Sequence, residues 1–142
     1  MANVCVVEEL PGSVEEAWAL LEDFGDMSAW APLARVRSVE GGHAVGSVRV
    51  VDTPDGVYRE RCEAHDPEAH NFRYSLFESP ANFDHYLGEV TLFPIDAGHC
   101  RIEWKCSFEI RGISDARMVA MTEDVYRDVF IHSLRESLEQ PG

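Results

Sequence analysis

Positive charge is scarce in this sequence. Twelve Lys and Arg face 26 Asp and Glu, for a net charge of −14. Lys105 is the sole lysine, so the other basic residues are all Arg. A chain this acidic repels phosphate, which speaks against nucleic acid and anionic lipid surfaces as partners. No apolar run approaches the roughly 18 residues a membrane span requires. The start, MANVCVVEELPG, has no basic segment and too short an apolar stretch for a secretory signal, so a cytoplasmic location is expected. Lysine scarcity with acid excess is a compositional habit of high-GC or salt-adapted bacteria. The four cysteines, Cys5, Cys62, Cys100 and Cys106, fit no CxxC or zinc spacing and are expected to be reduced and buried. His43, His65, His70, His85, His99 and His132 form no paired ligand motif, so no metal and no cofactor is expected. There is no G-x-S-x-G elbow, Walker loop or GxGxxG.

What is present fits one globular domain over residues 1–142: 45% hydrophobic and 27% charged residues, enough to bury a core without cross-links. Asn3 to Leu10 reads as a strand, ended by Pro11-Gly12. Ser13-Val14-Glu15-Glu16 is a capping box, and Val14, Ala17, Trp18 and Leu21 follow at helical spacing. A second short helix is expected over Met27–Trp30, stopping at Pro32. From there the period becomes two, with strands expected over 34–40, 46–53, 57–65, 71–78, 84–94 and 99–111, separated by Gly, Pro and Asp turns. In the last of these, Cys100, Ile102, Trp104, Cys106, Phe108 and Ile110 alternate with polar residues, the pattern of an antiparallel sheet wet on one side. Ser114 caps a long final helix reaching about Leu138, with Met118, Met121, Val125, Val129, Phe130 and Leu134 as its apolar stripe. The fold class expected is α+β: a curved seven-stranded antiparallel sheet around a long C-terminal helix, with two short helices after strand 1. One helix does not fill so wide a sheet, so a cavity between the two is expected. Trp104, Phe108, Ile102 and Val129 are expected deep between sheet and helix.

This order of elements resembles the START, or birch-pollen-allergen-like, superfamily with its helix-grip fold, and in particular its bacterial polyketide cyclase/dehydrase-like branch. The resemblance rests on Asp23-Phe24 followed by Trp30-x-Pro32, on Gly46-x-x-Arg49, on Arg59-Glu60-Arg61 with Asp66, on Glu78-Ser79-Pro80 with Tyr86, and on Trp104 and Phe108. The plant abscisic acid receptors share the Gly-x-x-Arg and Arg-Glu-Arg patterns. There, the stretches matching Thr53–Gly56 and Ser79–Phe83 are a gate and a latch over a ligand pocket. The gate stretch is shorter here and lacks Ser-Gly-Leu-Pro, so no hormone-style switch is expected. Arg35 aligns with the carboxylate-binding lysine of those receptors. The resemblance implies a pocket lined by Glu60, Tyr74, Leu76 and Tyr86, with Trp30 near its mouth.

The residues themselves point the same way at several positions. Tyr58, Glu60, Cys62 and Ala64 share one face of their strand. If that face is inward, Glu60 must find a partner, hydrate or hold a proton; an ion pair with Arg49 or Arg73 is the structural alternative. Arg49 could face either way. Buried phenols such as Tyr74 and Tyr86 need partners, Trp104 adds aromatic lining, and Met118 and Met121 suit an adaptable wall. His85 should face solvent. Three functions follow: binding of a small hydrophobic (lipid, aromatic or polyketide-like) molecule; a polyketide cyclase/aromatase-like enzyme of aldol cyclisation and dehydration; or an accessory or stress-type partner-binding module. The oligomeric state is left open.

Overall fold

The computed structural model describes residues 2–25, 27, 30, 35–40, 45–53, 56–80, 83–112 and 114–139, with backbone alone at 35–38. Strand β1 (Ala2–Pro11) leads through Gly12 into helix α1 (Val14–Leu21). Six strands follow: β2 (Arg35–Glu40), β3 (Val48–Thr53), β4 (Gly56–Asp66), β5 (Asn71–Glu78), β6 (Phe83–Asp96) and β7 (His99–Ile110). The chain ends in helix α2 (Asp115–Val125), a π-helical turn (Tyr126–Ile131) and helix α3 (His132–Glu139). The strands form one curved antiparallel sheet in the order β1-β7-β6-β5-β4-β3-β2, so chain neighbours pair except where β1 joins β7.

Local chemistry sets these boundaries. The Ser13 hydroxyl accepts from the Glu16 amide at 3.1 Å while Glu16 accepts from the Ser13 amide at 3.3 Å, so the expected capping box is formed. Ser114 caps α2 in the same way, accepting from the Arg117 amide. The expected second short helix falls mostly on residues outside those described; Trp30 donates its amide to the Met27 carbonyl in a turn there. Strand β7 alternates buried and exposed along its length, as its sequence pattern requires. One sheet face therefore collects Val4, Val6, Phe72, Tyr74, Val90, Ile102, Trp104 and Phe108, and the C-terminal helix packs across it.

The helix turns inward only part of the expected stripe: Met118, Phe130 and Leu134 face the core, and Met121, Val125 and Val129 do not. It buries Met118, Thr122, Tyr126, Ile131 and Leu134. Met121, Val125 and Val129 lie outside, 47%, 43% and 37% exposed. This removes Met121 from the inner wall and Val129 from the sheet–helix interface. The buried ladder runs Met118, Thr122, Tyr126 at intervals of four, and the π turn lengthens the next interval, from Tyr126 to Ile131, to five residues. Cysteines 62, 100 and 106 are buried as expected, whereas Cys5 is exposed on the outward phase of the edge strand.

Candidate functional site

Two adjoining polar groups sit inside this apolar interior. The first is an ion pair between β3 and β4. Arg49 and Glu60 are register partners, and Arg49 Nε donates to Glu60 Oε1 at 3.1 Å. The Arg49 side chain is 4% exposed and that of Glu60 14%. The guanidinium also donates through Nη1 to the Phe24 carbonyl at 2.8 Å and lies 4.0 Å above the Phe24 ring. Both residues face inward, so the inner-face placement and the ion pair are true together; Arg73 pairs with Glu89 on the other face.

The second group is a meeting of three phenols from different elements: Tyr74 of β5, Tyr86 of β6 and Tyr126 of the π turn. Trp104 Nε1 donates to Tyr74 Oη at 3.0 Å. Tyr74 Oη lies 3.4 Å from Tyr126 Oη, and Tyr126 is hydrogen-bonded in turn to Tyr86. The buried Cys106 thiol lies beside Tyr126 and Tyr86. The Tyr74 ring owes its position to Gly88, its register partner: a Cβ there would come within 2.2 Å of Tyr74 Cζ. Gly88→Ala is accordingly expected to displace Tyr74 and to cost about 1–3 kcal/mol by overpacking, measured by urea denaturation. A variant as stable as the parent would mean the ring has room to move.

Burial raises the pKa of all three phenols. For Tyr74 the charge of Glu60 adds to it; for Tyr86 and Tyr126 the neighbouring phenols do. The groups therefore remain protonated donors. Burial also raises Cys100, to about 11. The folded chain holds these protons more tightly than the unfolded chain, whose tyrosines ionise near their ordinary value of 10.0. The contribution is fully present below that pH and is lost as pH rises beyond it. Thermal melting followed from pH 8 to 11 is expected to fall steeply above about pH 10, and Tyr126→Phe is expected to flatten the fall.

The remaining residues named from the sequence divide. Trp30 is buried against Trp104 and Phe130, with ring centroids 6.0 and 6.2 Å apart. Trp104 stacks on Tyr126 at 5.1 Å. Met118 is buried on the inner side of α2. Tyr58 and Leu76 are partly buried and pack on the same core, towards the end of the sheet where Gly56 meets the ring of Pro80. The gate-like and latch-like stretches thus touch, although residues 54, 55, 81 and 82 lie outside those described. The side chain of Arg35 also lies outside them. His85 is exposed, as expected. Sequence reasoning missed Tyr126, Cys106 and Gly88. The signal for Tyr126 was the ladder Met118, Thr122, Tyr126 at intervals of four.

A groove of about 490 Å3 lies on the opposite face of the sheet, lined by Glu63, Arg73, Leu87, Glu89, Lys105 and Ser107 among others. Its charged groups already have partners: Glu89 pairs with Arg73 and Lys105, and Glu63 accepts from the Ser75 hydroxyl. Among the described residues no cluster of His, Cys, Asp and Glu could hold a metal ion, and no helix is long and apolar enough to cross a membrane.

The family model described as polyketide cyclase / dehydrase and lipid transport matches residues 1–139. None of the curated proteins compared with the chain matches it. Among solved structures, a protein of Bacillus thuringiensis superposes with a TM-score of 0.88 at 24% identity, over 98% of this chain and 100% of that one. A START superfamily protein of Mycobacterium smegmatis superposes at 0.75 with 14% identity, over 99% of each chain. Norcoclaurine synthase of Thalictrum flavum, solved with dopamine and hydroxybenzaldehyde, superposes at 0.71 with 14% identity, over 99% of this chain and 88% of that one. At these identities the likeness establishes the helix-grip fold.

Proposed function

We propose, on the premise that this chain belongs to the polyketide cyclase / dehydrase and lipid transport family, that it binds a small hydrophobic molecule between the inner face of its sheet and the C-terminal helix. The observation that carries the reading is the set of polar groups inside an otherwise apolar interior. A core that served packing alone needs no such groups, since apolar side chains of similar volume fill it without giving up hydration, and a buried ion pair is often no more stabilising than its apolar replacement. Their presence fits a ligand surface, which is typically apolar with a few oriented polar groups. Glu60, Arg49, Tyr74, Tyr86 and Tyr126 are those groups. Trp30, Tyr58, Leu76, Trp104 and Met118 are the apolar wall. Entry is by the end of the sheet where Tyr58, Leu76 and Phe83 remain partly open. The dopamine and hydroxybenzaldehyde held by norcoclaurine synthase support a ligand of about one aromatic ring or more.

The test uses the neutral fluorescent probe N-phenyl-1-naphthylamine. Saturable binding near one probe per chain, lost in Leu76→Arg without loss of folded circular dichroism, is the expected result. Binding unaffected by that substitution would place the probe elsewhere and defeat the reading. A second reading, catalysis of aldol cyclisation and dehydration, is favoured by the Glu60 side chain lying near enough to help raise the pKa of Tyr74, a carboxyl group beside phenols that stay protonated. Under it, Glu60→Gln lowers turnover of a polyketone substrate more than it lowers affinity.

A further inference from the structure

The hydrogens of the phenol cluster can be counted. An indole N–H only donates, so the Trp104 contact uses Tyr74 Oη as an acceptor. The contacts Tyr74–Tyr126 and Tyr126–Tyr86 each use one hydrogen. Three O–H groups therefore serve two contacts. Whichever way the chain runs, one phenol hydrogen has no oxygen to bond within the cluster. The Cys106 sulfur, beside Tyr126 and Tyr86, is a weak acceptor for it. Accepting from Trp104 polarises Tyr74 as a donor towards Tyr126, and Tyr126 then donates towards Tyr86. The surplus hydrogen falls at Tyr86. It is also the most open of the three, 7% exposed, and its ring meets that of the partly open Phe83 at 5.0 Å. The nearby cation is already committed, since Arg49 is bound by Glu60 and the Phe24 carbonyl.

Resting on the binding reading above, we propose that the Tyr86 hydroxyl is the recognition donor of the site. It selects molecules with an apolar body and an uncharged oxygen acceptor, such as a ketone, ester or amide carbonyl. A carboxylate of the same shape is rejected, because it would give up its hydration with no unpaired cation among the described residues to meet it. A hydrocarbon of the same shape leaves the surplus hydrogen on sulfur.

Three probes of one shape decide the matter by isothermal titration: 2-acetylnaphthalene, 2-ethylnaphthalene and 2-naphthoate. The ketone is expected to bind about tenfold more tightly than the hydrocarbon, the worth of one hydrogen bond, with naphthoate weakest. In Tyr86→Phe the ketone and the hydrocarbon are expected to bind alike, the hydrocarbon within about twofold of its original affinity. Equal affinities in the unmodified protein, a preference for naphthoate, or a ketone preference that survives Tyr86→Phe would each overturn the proposal while leaving the binding reading standing. Failure of all three probes to bind would overturn the binding reading and this proposal with it. If Tyr86→Phe does not fold, the order of the three affinities in the unmodified protein decides alone.

Discussion

Replacing Glu60 by Ala is expected to destabilise the protein by about 3 kcal/mol, the lower part of the range for breaking a buried ion pair. The cost comes from what remains. Arg49, 4% exposed, would retain its charge with the Phe24 carbonyl as its sole oxygen acceptor among the described residues. The slight opening at Glu60, 14% exposed, admits some solvent screening and keeps the figure from the top of the range. Adding Arg49→Leu to Glu60→Ala is expected to recover most of the loss, because an apolar pair removes the stranded charge. Urea denaturation of the two single variants and the double variant checks this. A loss below about 1 kcal/mol for Glu60→Ala would show the pair to be effectively solvated.

Trp104→Ala is expected to cost about 3–5 kcal/mol. Its ring lies between Trp30, Tyr126 and Phe130, and its indole N–H holds Tyr74 in place. The truncation therefore removes stacking and leaves a void, and it releases the donor that begins the phenol chain. Trp104→Phe keeps most of the volume and is expected to cost less than half as much. A Trp104→Ala protein that melts with the parent would overturn the inward phase of β7.

The strand phases could be read because each side chain on a strand faces one of two sides, and a single run such as Cys100 to Ile110 settles which. Ser13 and Glu16 were equally plain, since the capping box is local chemistry. The C-terminal helix was harder. Its apolar residues Met118, Met121, Val125 and Val129 make a convincing stripe, yet the inner ladder runs through Thr122 and Tyr126, whose partners lie on the sheet. A hydroxyl that finds Tyr74 and Tyr86 inside is worth burying, and nothing in the helix's own sequence announces those partners. Glu60 shows the converse limit. Alternation grouped it with Tyr58, Cys62 and Ala64 and left open which face was inward, and the choice of Arg49 over Arg73 depended on which neighbouring strand lay in register. Gly88 carries no signal of its own in the sequence, since it is the ring of Tyr74, on the neighbouring strand, that occupies the place of its side chain.

Ligand binding at the inner face, among its phenols, leaves a direct signature. It is tested most directly by nuclear magnetic resonance of protein carrying carbon-13 in its tyrosine rings and nitrogen-15 in its backbone, titrated with N-phenyl-1-naphthylamine. The account predicts that the ring signals of Tyr86 and Tyr126 and the amides of Leu76 and Phe83 move together and saturate. The amides of Glu63, Glu89 and Lys105 on the opposite face, and of Met121 and Val125 on the outer flank of the helix, should stay in place. Saturating shifts confined to either of those outer surfaces, with the tyrosine rings unmoved, would contradict it.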